Sequence, residues 1–123
     1  MQFQHNGPAI YLQIADYLLE KILSGEWPEE EKIPSVRDTA LVLEVNPNTV
    51  MRSYDWLKQQ AIIIDKRGVG FFVCKDGQKT ALKFRQQEFL ANEAPTLFRL
   101  MNMLQLTPAD LAKPFETFLK NKK

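Results

Sequence analysis

Two helix-start signals lie so close together in this sequence that they strongly limit the possible fold. The first is Ser35, which places a hydroxyl at the cap position with a carboxylate three residues later. The second is Asn46, a good capping residue, followed by Pro47 at the first helical position. The helix that starts at Ser35 must therefore end at a turn around residues 43–45. The sequence predicts a short helix, a tight turn and a longer helix ending near Gln60.

The flanking segments extend this pair of helices into a recognisable layout. Apolar residues recurring every four positions predict an amphipathic helix over about residues 10–24. Two β-branched and aromatic runs, residues 62–64 and 71–73, enclose a glycine-containing segment and predict a β-hairpin. Residues 32–33 could add a short third strand. The order helix, helix, turn, helix, hairpin predicts an α+β, mostly α fold, with a winged helix-turn-helix over residues 1–75.

The remaining residues, 76–123, predict a short C-terminal helical segment. Pro95 should kink a helix or start a new one, and Thr107 with Asp110 repeats the capping pattern. This segment carries more apolar side chains than so short a stretch can bury on itself, which predicts a homodimer formed by packing on a second copy. The residues expected at that interface are Phe84, Phe89, Leu97, Phe98, Met101, Leu104, Phe115 and Phe118. Two alternatives remain open: that they only cover the back of the winged helix, or that they also hold a small-molecule effector.

Composition limits the other classes of function. One cysteine and one histidine supply neither a disulfide framework nor a metal-ligand cluster, so no cofactor or metal is expected. Cys74 follows an apolar run and is expected to be a structural thiol, and no role is assigned to His5. Catalytic triads, phosphate-binding glycine loops and paired catalytic carboxylates are not found, so an enzyme is not expected. We expect a cytoplasmic chain because it lacks a signal sequence and an apolar run of bilayer length.

Net charge alone does not point to a nucleic-acid partner. The whole chain carries +1, and residues 1–75 contain 8 Lys and Arg against 10 Asp and Glu, a net charge of −2. DNA-binding domains usually have a basic footprint. Any positive surface must therefore be local, with the acidic residues 29–31 lying away from it.

The positions of polar and basic residues do point to double-stranded DNA. The front of the third helix should enter the major groove, where amide and guanidinium groups read base edges, while the hairpin tip reaches the backbone or minor groove. The expected contact residues are Ser35, Arg37, Asn46, Asn48, Thr49, Arg52, Lys66, Arg67 and Gly68. Simpler roles stay open for several of them. Asn46 could act only as a cap, Arg37 could pair with a neighbouring carboxylate, and the basic hairpin tip could be a solvated turn.

Five ordered blocks of residues resemble the DNA-binding domain of the GntR family of bacterial regulators, over about residues 8–74. In order, the blocks are PAIYLQI, ILSGE, KIPSVR, VNPNTV and RGVGFFV. The start of the third helix and the short tail resemble the YtrA-type branch. The resemblance implies that Arg37 and the wing tip Arg67-Gly68 contact an operator.

At four positions the sequence departs from the family pattern, and two of these departures change which DNA contacts of the family can be assigned to this chain. Pro47 and Met51 stand where many members carry arginines, so Asn48, Thr49 and Arg52 would have to read the bases instead. Glu44 and Ala61 each replace a usual glycine and should add mild strain if a positive φ is retained.

The sequence therefore predicts a DNA-binding transcription regulator, expected to be a repressor, that binds a pseudo-palindromic operator as a homodimer. The alternative is a winged helix used as a protein-interaction module, which the near-neutral charge favours.

Overall fold

The computed structural model describes Phe3 and residues 8–122, and the chain divides after Phe84 into two compact units. His5 lies outside the described residues. The first unit contains α1 (Ile10–Leu23), α2 (Val36–Leu43), α3 (Pro47–Gln59), β1 (Ile63–Lys66), β2 (Gly70–Val73) and most of α4 (Gly77–Glu88). The second continues through the π-helical turn Phe89–Glu93, α5 (Ala94–Met103) and α6 (Pro108–Lys120). The mostly helical winged helix-turn-helix predicted from the sequence is confirmed.

The turn between α2 and α3 forms as its capping residues predict. The Ser35 hydroxyl accepts a hydrogen bond from the Asp38 amide, and the Asn46 side chain accepts one from the Asn48 amide. Between them Glu44 adopts a left-handed conformation with φ 56°, which reverses the chain. Ala61, ahead of the hairpin, has φ 62°. Both glycine-replacing residues therefore retain a positive φ, at a cost of about 1 kcal/mol each.

The core of the first unit is formed by α1, α2 and α3 and closed by the hairpin. α1 contributes a full apolar stripe, and α3 contributes one side only, so the front of α3 remains in solvent. Each fully buried aliphatic side chain contributes about 1.5–3 kcal/mol. The buried cluster comprises Ile14, Leu18, Leu19, Ile22, Ile33, Ala40, Leu43, Val50, Tyr54, Leu57, Ile62, Ile63, Val73 and Ala81.

The wing is a two-stranded antiparallel hairpin. Its register runs from Ile63 opposite Val73 to Lys66 opposite Gly70. The predicted third strand is reduced to a single bridge between Lys32 and Phe72. The wing therefore has a fixed base, where the Ile63–Val73 pair joins the core, and a projecting tip that begins at the Lys66–Gly70 pair.

α4 begins on the first unit, which changes the expected division of the chain. Gly77 is buried so closely that a Cβ there would lie 2.6 Å from the carbonyl oxygen of Ile62. One turn later Ala81 enters the core, and the Phe84 ring packs edge-on to Trp56 at 4.9 Å. The compact units consequently separate after Phe84 and not after residue 75. Phe84, expected at a dimer interface, is partly buried on the winged helix in the single chain because α4 continues that core.

Prolines interrupt the regular α-helical structure of the second unit. Pro95 has no amide hydrogen and its ring crowds the preceding turn, so the chain widens to a π-helical turn before α5 begins at Ala94. A new helix start near Pro95 was predicted and is confirmed. The Asp110 carboxylate accepts hydrogen bonds from the Thr107 amide and hydroxyl at 2.8 and 3.1 Å, which lowers the pKa of Asp110. Pro114 lies inside α6, a feature that the sequence analysis did not anticipate.

Replacing Gly77 with alanine should destabilise the protein although alanine favours helices. The added methyl group meets a backbone oxygen, so either α4 or the start of the hairpin must shift, at a cost of about 1–3 kcal/mol. Urea unfolding followed by tryptophan fluorescence measures the change. Lys79→Ala, an exposed position on the same helix, should stay within about 0.5 kcal/mol of the original chain. A neutral or stabilising Gly77→Ala would contradict the close packing.

Candidate nucleic-acid interface

The front of α3 presents polar side chains to solvent. The Asn46 side-chain oxygen lies 2.8 Å from the Asn48 amide nitrogen, so that oxygen is used for capping. Pro47 follows at the first turn, and the Asn48 side chain is exposed. Of the two asparagines, Asn48 is thus the one whose side chain is not used by the cap.

Asn48, Thr49 and Arg52 come together around one shallow pocket of about 330 Å³. The other wall is the start of α1, formed by residues 9–11. The guanidinium carbon of Arg52 lies 3.9 Å from the centroid of the Tyr11 ring, a stacked cation–π contact. The predicted grouping of Asn48 with Arg52 on one face of α3 is consistent with this pocket.

The start of α2 carries the next pair of expected contact residues. The Ser35 oxygen accepts from the Asp38 amide at 3.1 Å, which makes Ser35 a cap. Arg37 is exposed and forms no ion pair with any carboxylate in the described part of the chain. The alternative in which Arg37 pairs with Asp38 or Glu44 is therefore not what this structure contains.

The wing tip separates its two cations. Gly68 has φ 78°, a conformation that favours glycine, and the Val69 amide closes the turn on the Lys66 carbonyl at 2.8 Å. The Lys66 ammonium lies 4.2 Å from the centroid of the Phe72 ring, so Lys66 packs along the hairpin. Arg67 is exposed and has no such contact with a described residue.

The acidic run lies at the other end of the wing. The Glu30 amide donates to the Val73 carbonyl at 2.8 Å, and the Val73 amide donates to the Glu31 carbonyl at 3.1 Å. Glu29, whose carboxylate accepts from the Asp76 amide, belongs to the same region. These contacts hold the three glutamates at the base of the hairpin, whereas Arg67 lies at its tip.

Tyr54 sets the position of α2 relative to α3. Its hydroxyl donates to the Pro34 carbonyl at 2.7 Å, and Thr39 Oγ1 lies 2.8 Å from the same oxygen. The Phe71 ring of β2 packs against the Tyr54 ring at 4.9 Å. Burial raises the pKa of Tyr54 to about 12, which keeps the phenol protonated as a donor. The start of α2 that carries Arg37 is thereby fixed to α3.

A comparison with known proteins identifies the family. The sequence profile of bacterial regulatory proteins of the gntR family matches residues 10–73. The chain belongs to the GntR family. It is a DNA-binding transcription regulator of that type, and the three segments described above lie in its winged helix.

Individual relatives extend the match of this GntR regulator beyond the winged helix. The HTH-type transcriptional regulator YhcF of Bacillus subtilis is 34% identical over 118 residues, covering 95% of this chain and 94% of YhcF. The transcriptional repressor YtrA of the same organism is 35% identical over 74 residues, 60% of this chain and 57% of YtrA. A crystal structure from Bacteroides thetaiotaomicron, assigned to the GntR family, has 40% identity and a TM-score of 0.74, covering 94% of this chain and all 100% of its own.

The structure groups three of the predicted contact residues, Asn48, Thr49 and Arg52, around one pocket. Arg37 and Arg67 are exposed on other elements of the GntR fold, at the start of α2 and at the wing tip. That all of them meet one DNA duplex stays a prediction.

The expected tail residues divide into buried and exposed groups. Met101 is only 7% exposed in the single chain, so it already has partners there. Six others are exposed in the monomer, namely Phe89, Leu97, Phe98, Leu104, Phe115 and Phe118. These six are the ones left to be covered by another surface.

The described residues give little support for a metal site, a reactive cysteine or a membrane-spanning helix. No group of three or more potential metal-ligating side chains occurs among residues 8–122 and Phe3. Cys74 is partly buried, and burial raises the pKa of its thiol, which disfavours the reactive thiolate. None of the described helices has both the length and the hydropathy needed to cross a membrane.

Two aromatic residues of the GntR domain were missed as part of the site. Neither Tyr54 nor Tyr11 is among the contact residues expected from the sequence. Their polar and ring contacts join residues 15 to 41 positions apart, and helical periodicity carries no signal for pairs so distant.

The hydroxyl of Tyr54 should make stability depend on alkaline pH. The folded pKa of about 12 lies above the ordinary value of 10.0, so its contribution is full below pH 10 and is lost between pH 10 and 12. Tyr54→Phe leaves the Pro34 carbonyl and Thr39 unpaired and should cost about 1–3 kcal/mol at pH 7. Denaturant titrations from pH 10 to pH 12 should show a decreasing difference in the free energy of unfolding between the original protein and Tyr54→Phe. A difference that stays constant up to pH 12 would contradict a buried, hydrogen-bonded phenol.

Proposed function

We propose that this GntR regulator represses transcription by binding a pseudo-palindromic DNA operator as a homodimer. The observation that carries the proposal is the cluster of Asn48, Thr49 and Arg52 at the exposed front of α3. Amide and guanidinium groups at that end of a second helix are placed to bond with adenine and guanine edges in the major groove. Base reading then falls to these three side chains because Pro47 has no polar side chain.

Arg37 and Arg67 supply the backbone contacts in this proposal. Both are exposed, and neither is paired with a carboxylate of the described chain. A guanidinium without an intramolecular partner loses nothing inside the protein when it binds a phosphate, and its planar fork matches two phosphate oxygens. Gly68 next to Arg67 lets the wing backbone approach the duplex closely.

The unfavourable net charge of the winged helix is offset by the distribution of its charges. Glu30 and Glu31 are hydrogen-bonded to Val73 at the base of the hairpin. Arg67 at the tip is therefore separated from this acidic segment by the length of the hairpin. A local positive surface is sufficient for DNA because screening limits repulsion from charges more than about 10 Å away.

The exposed tail supports the homodimer. Large apolar side chains cover both α5 and α6, and α6 has no buried residue at all. Phe115 and Phe118 are 59% and 64% exposed and lie on the same side of α6 as Leu111. A monomeric protein rarely leaves such a continuous apolar surface in water. A two-fold pair, in which the same patch covers its copy, removes it and presents two α3 helices to two half-sites.

Repression is the expected outcome of such a complex. The Bacillus subtilis relative YtrA carries the name of a transcriptional repressor. A dimer that occupies two half-sites about one helical turn, roughly 10 bp, apart covers a promoter segment and excludes other proteins from it.

Selection of bound sequences from random double-stranded DNA tests the operator. The selected motif should have two inverted half-sites, with centres about 10 bp or a multiple apart. Arg37→Ala and Arg67→Ala should each weaken binding about 5- to 100-fold and reduce the salt dependence, without changing thermal stability. Lys58→Ala, which removes an exposed cation from the far end of α3, is the matched control and should bind normally.

Two results would count against this function. Arginine variants that bind like the original protein would remove the assigned DNA face. Failure to enrich any motif at low salt would favour the protein-interaction alternative.

The dimer is tested on α6. Phe118→Asp places a charge in the apolar face, and Thr117→Asp places the same charge one position away on the polar side. In sedimentation velocity, Phe118→Asp should shift the protein towards the 14.3 kDa monomer, while Thr117→Asp should remain dimeric. Both positions are exposed in the monomer, so neither change should disturb its fold. A Phe118→Asp protein that is still dimeric would place the interface elsewhere.

A further inference from the structure

The contact between Tyr11 and Arg52 joins two helices at the edge of the proposed DNA face. The Arg52 guanidinium carbon lies 3.9 Å from the Tyr11 ring centroid, which is close enough for full stacking. By comparison, the Lys21 ammonium lies 5.2 Å from the ring of Tyr17 further along α1. The Arg52 side chain is exposed and forms no hydrogen bond or ion pair with another described residue. Its orientation is thus set by the tyrosine ring.

The backbone that carries the ring is held against α3. Ser53, the residue after Arg52, is fully buried, and its hydroxyl donates to the Tyr11 carbonyl at 2.6 Å. The first turn of α1 and the middle of α3 are therefore joined at adjacent positions, by this hydrogen bond and by the contact of Arg52 with the ring. The point from which the Tyr11 ring projects is thereby fixed relative to Arg52.

Stacking on the ring leaves the N–H donors of the Arg52 guanidinium available to bind DNA. A ring covers one flat face of the group, while the N–H donors point outwards in the guanidinium plane. Asn48 and Thr49 line the same pocket, so those donors lie beside the side chains expected to read bases. An arginine fixed in this way loses less side-chain freedom on binding and meets its acceptors in a defined orientation.

We propose that Tyr11 is a positioning residue for operator recognition, which stacks on Arg52 and orients it towards the O6 and N7 acceptors of one guanine in each half-site. This inference rests on the proposed function. It adds a residue of α1, outside the helix-turn-helix, to the determinants of sequence preference.

The decisive experiment combines binding with selection. The operator sequence is first selected from random DNA with the original protein. Its binding is then measured by titration with four variants: Tyr11→Leu, Tyr11→Phe, Arg52→Gln and the double variant Tyr11→Leu/Arg52→Gln. Tyr11→Leu should weaken binding about 3- to 10-fold, and random-sequence selection with it should show relaxed preference at one base pair per half-site. Tyr11→Phe keeps the ring and should bind normally, because the Tyr11 hydroxyl has no hydrogen-bond partner among the described residues.

The double variant separates positioning from general stability. If Tyr11 acts through Arg52, the double variant should bind no more weakly than Arg52→Gln alone and should select the same relaxed motif. Tyr17→Leu makes the same chemical change nearly two turns along α1 and should leave the selected motif intact.

The possible failures are distinguishable. Additive losses in the double variant, an unchanged motif with Tyr11→Leu, or equal weakening by Tyr11→Phe would each overturn the role of the ring while leaving the regulator function in place. Failure of the original protein to select any motif would overturn both proposals.

Discussion

The DNA-binding half of this protein depends on one buried phenol. Tyr54 extends from α3 into the space between α2 and the hairpin, and its hydroxyl joins Pro34 and Thr39. Its ring also packs edge-on against Phe71 in the wing. This α3 side chain thus contacts both of the other elements that carry expected DNA contacts, the start of α2 and the hairpin. Because a buried hydroxyl without partners is costly, the geometry in which both hydrogen bonds form is favoured over nearby alternatives.

This constraint explains how a small domain can tolerate an otherwise strained turn. Glu44 has to adopt a left-handed conformation to turn the chain between α2 and α3. The cost is offset because the Val45 amide donates to the Ala40 carbonyl at the end of α2 and Asn46 caps the start of α3. Tyr54 also holds the two helices in their crossing arrangement. The exposed front of α3 is then free to carry side chains chosen for binding.

Local signals in the sequence predict most of this fold. The caps at Ser35 and Asn46 and the hairpin glycines each follow from one or two residues and their immediate neighbours. The positive φ at Glu44 and Ala61 is indicated only by the family resemblance, in which glycine usually stands at both positions. The extent of α4 could not be predicted in the same way, because it depends on Gly77 fitting against the Ile62 carbonyl. The Tyr11–Arg52 contact is also tertiary, since it requires α1 and α3 to cross at one particular place. Sequence patterns therefore predicted the polar side chains at the front of α3 but not the Tyr11 ring that contacts Arg52.

The arrangement of charge along the wing has a consequence for how the protein meets DNA. With glutamates fixed at the base of the hairpin and Arg67 at its tip, the hairpin has an electric dipole along its length although the domain as a whole is slightly negative. In the field of a polyanion such a body experiences a torque as well as a weak net force. This torque would turn the tip of the hairpin towards the DNA during approach, so that the protein is already oriented when it reaches the bases.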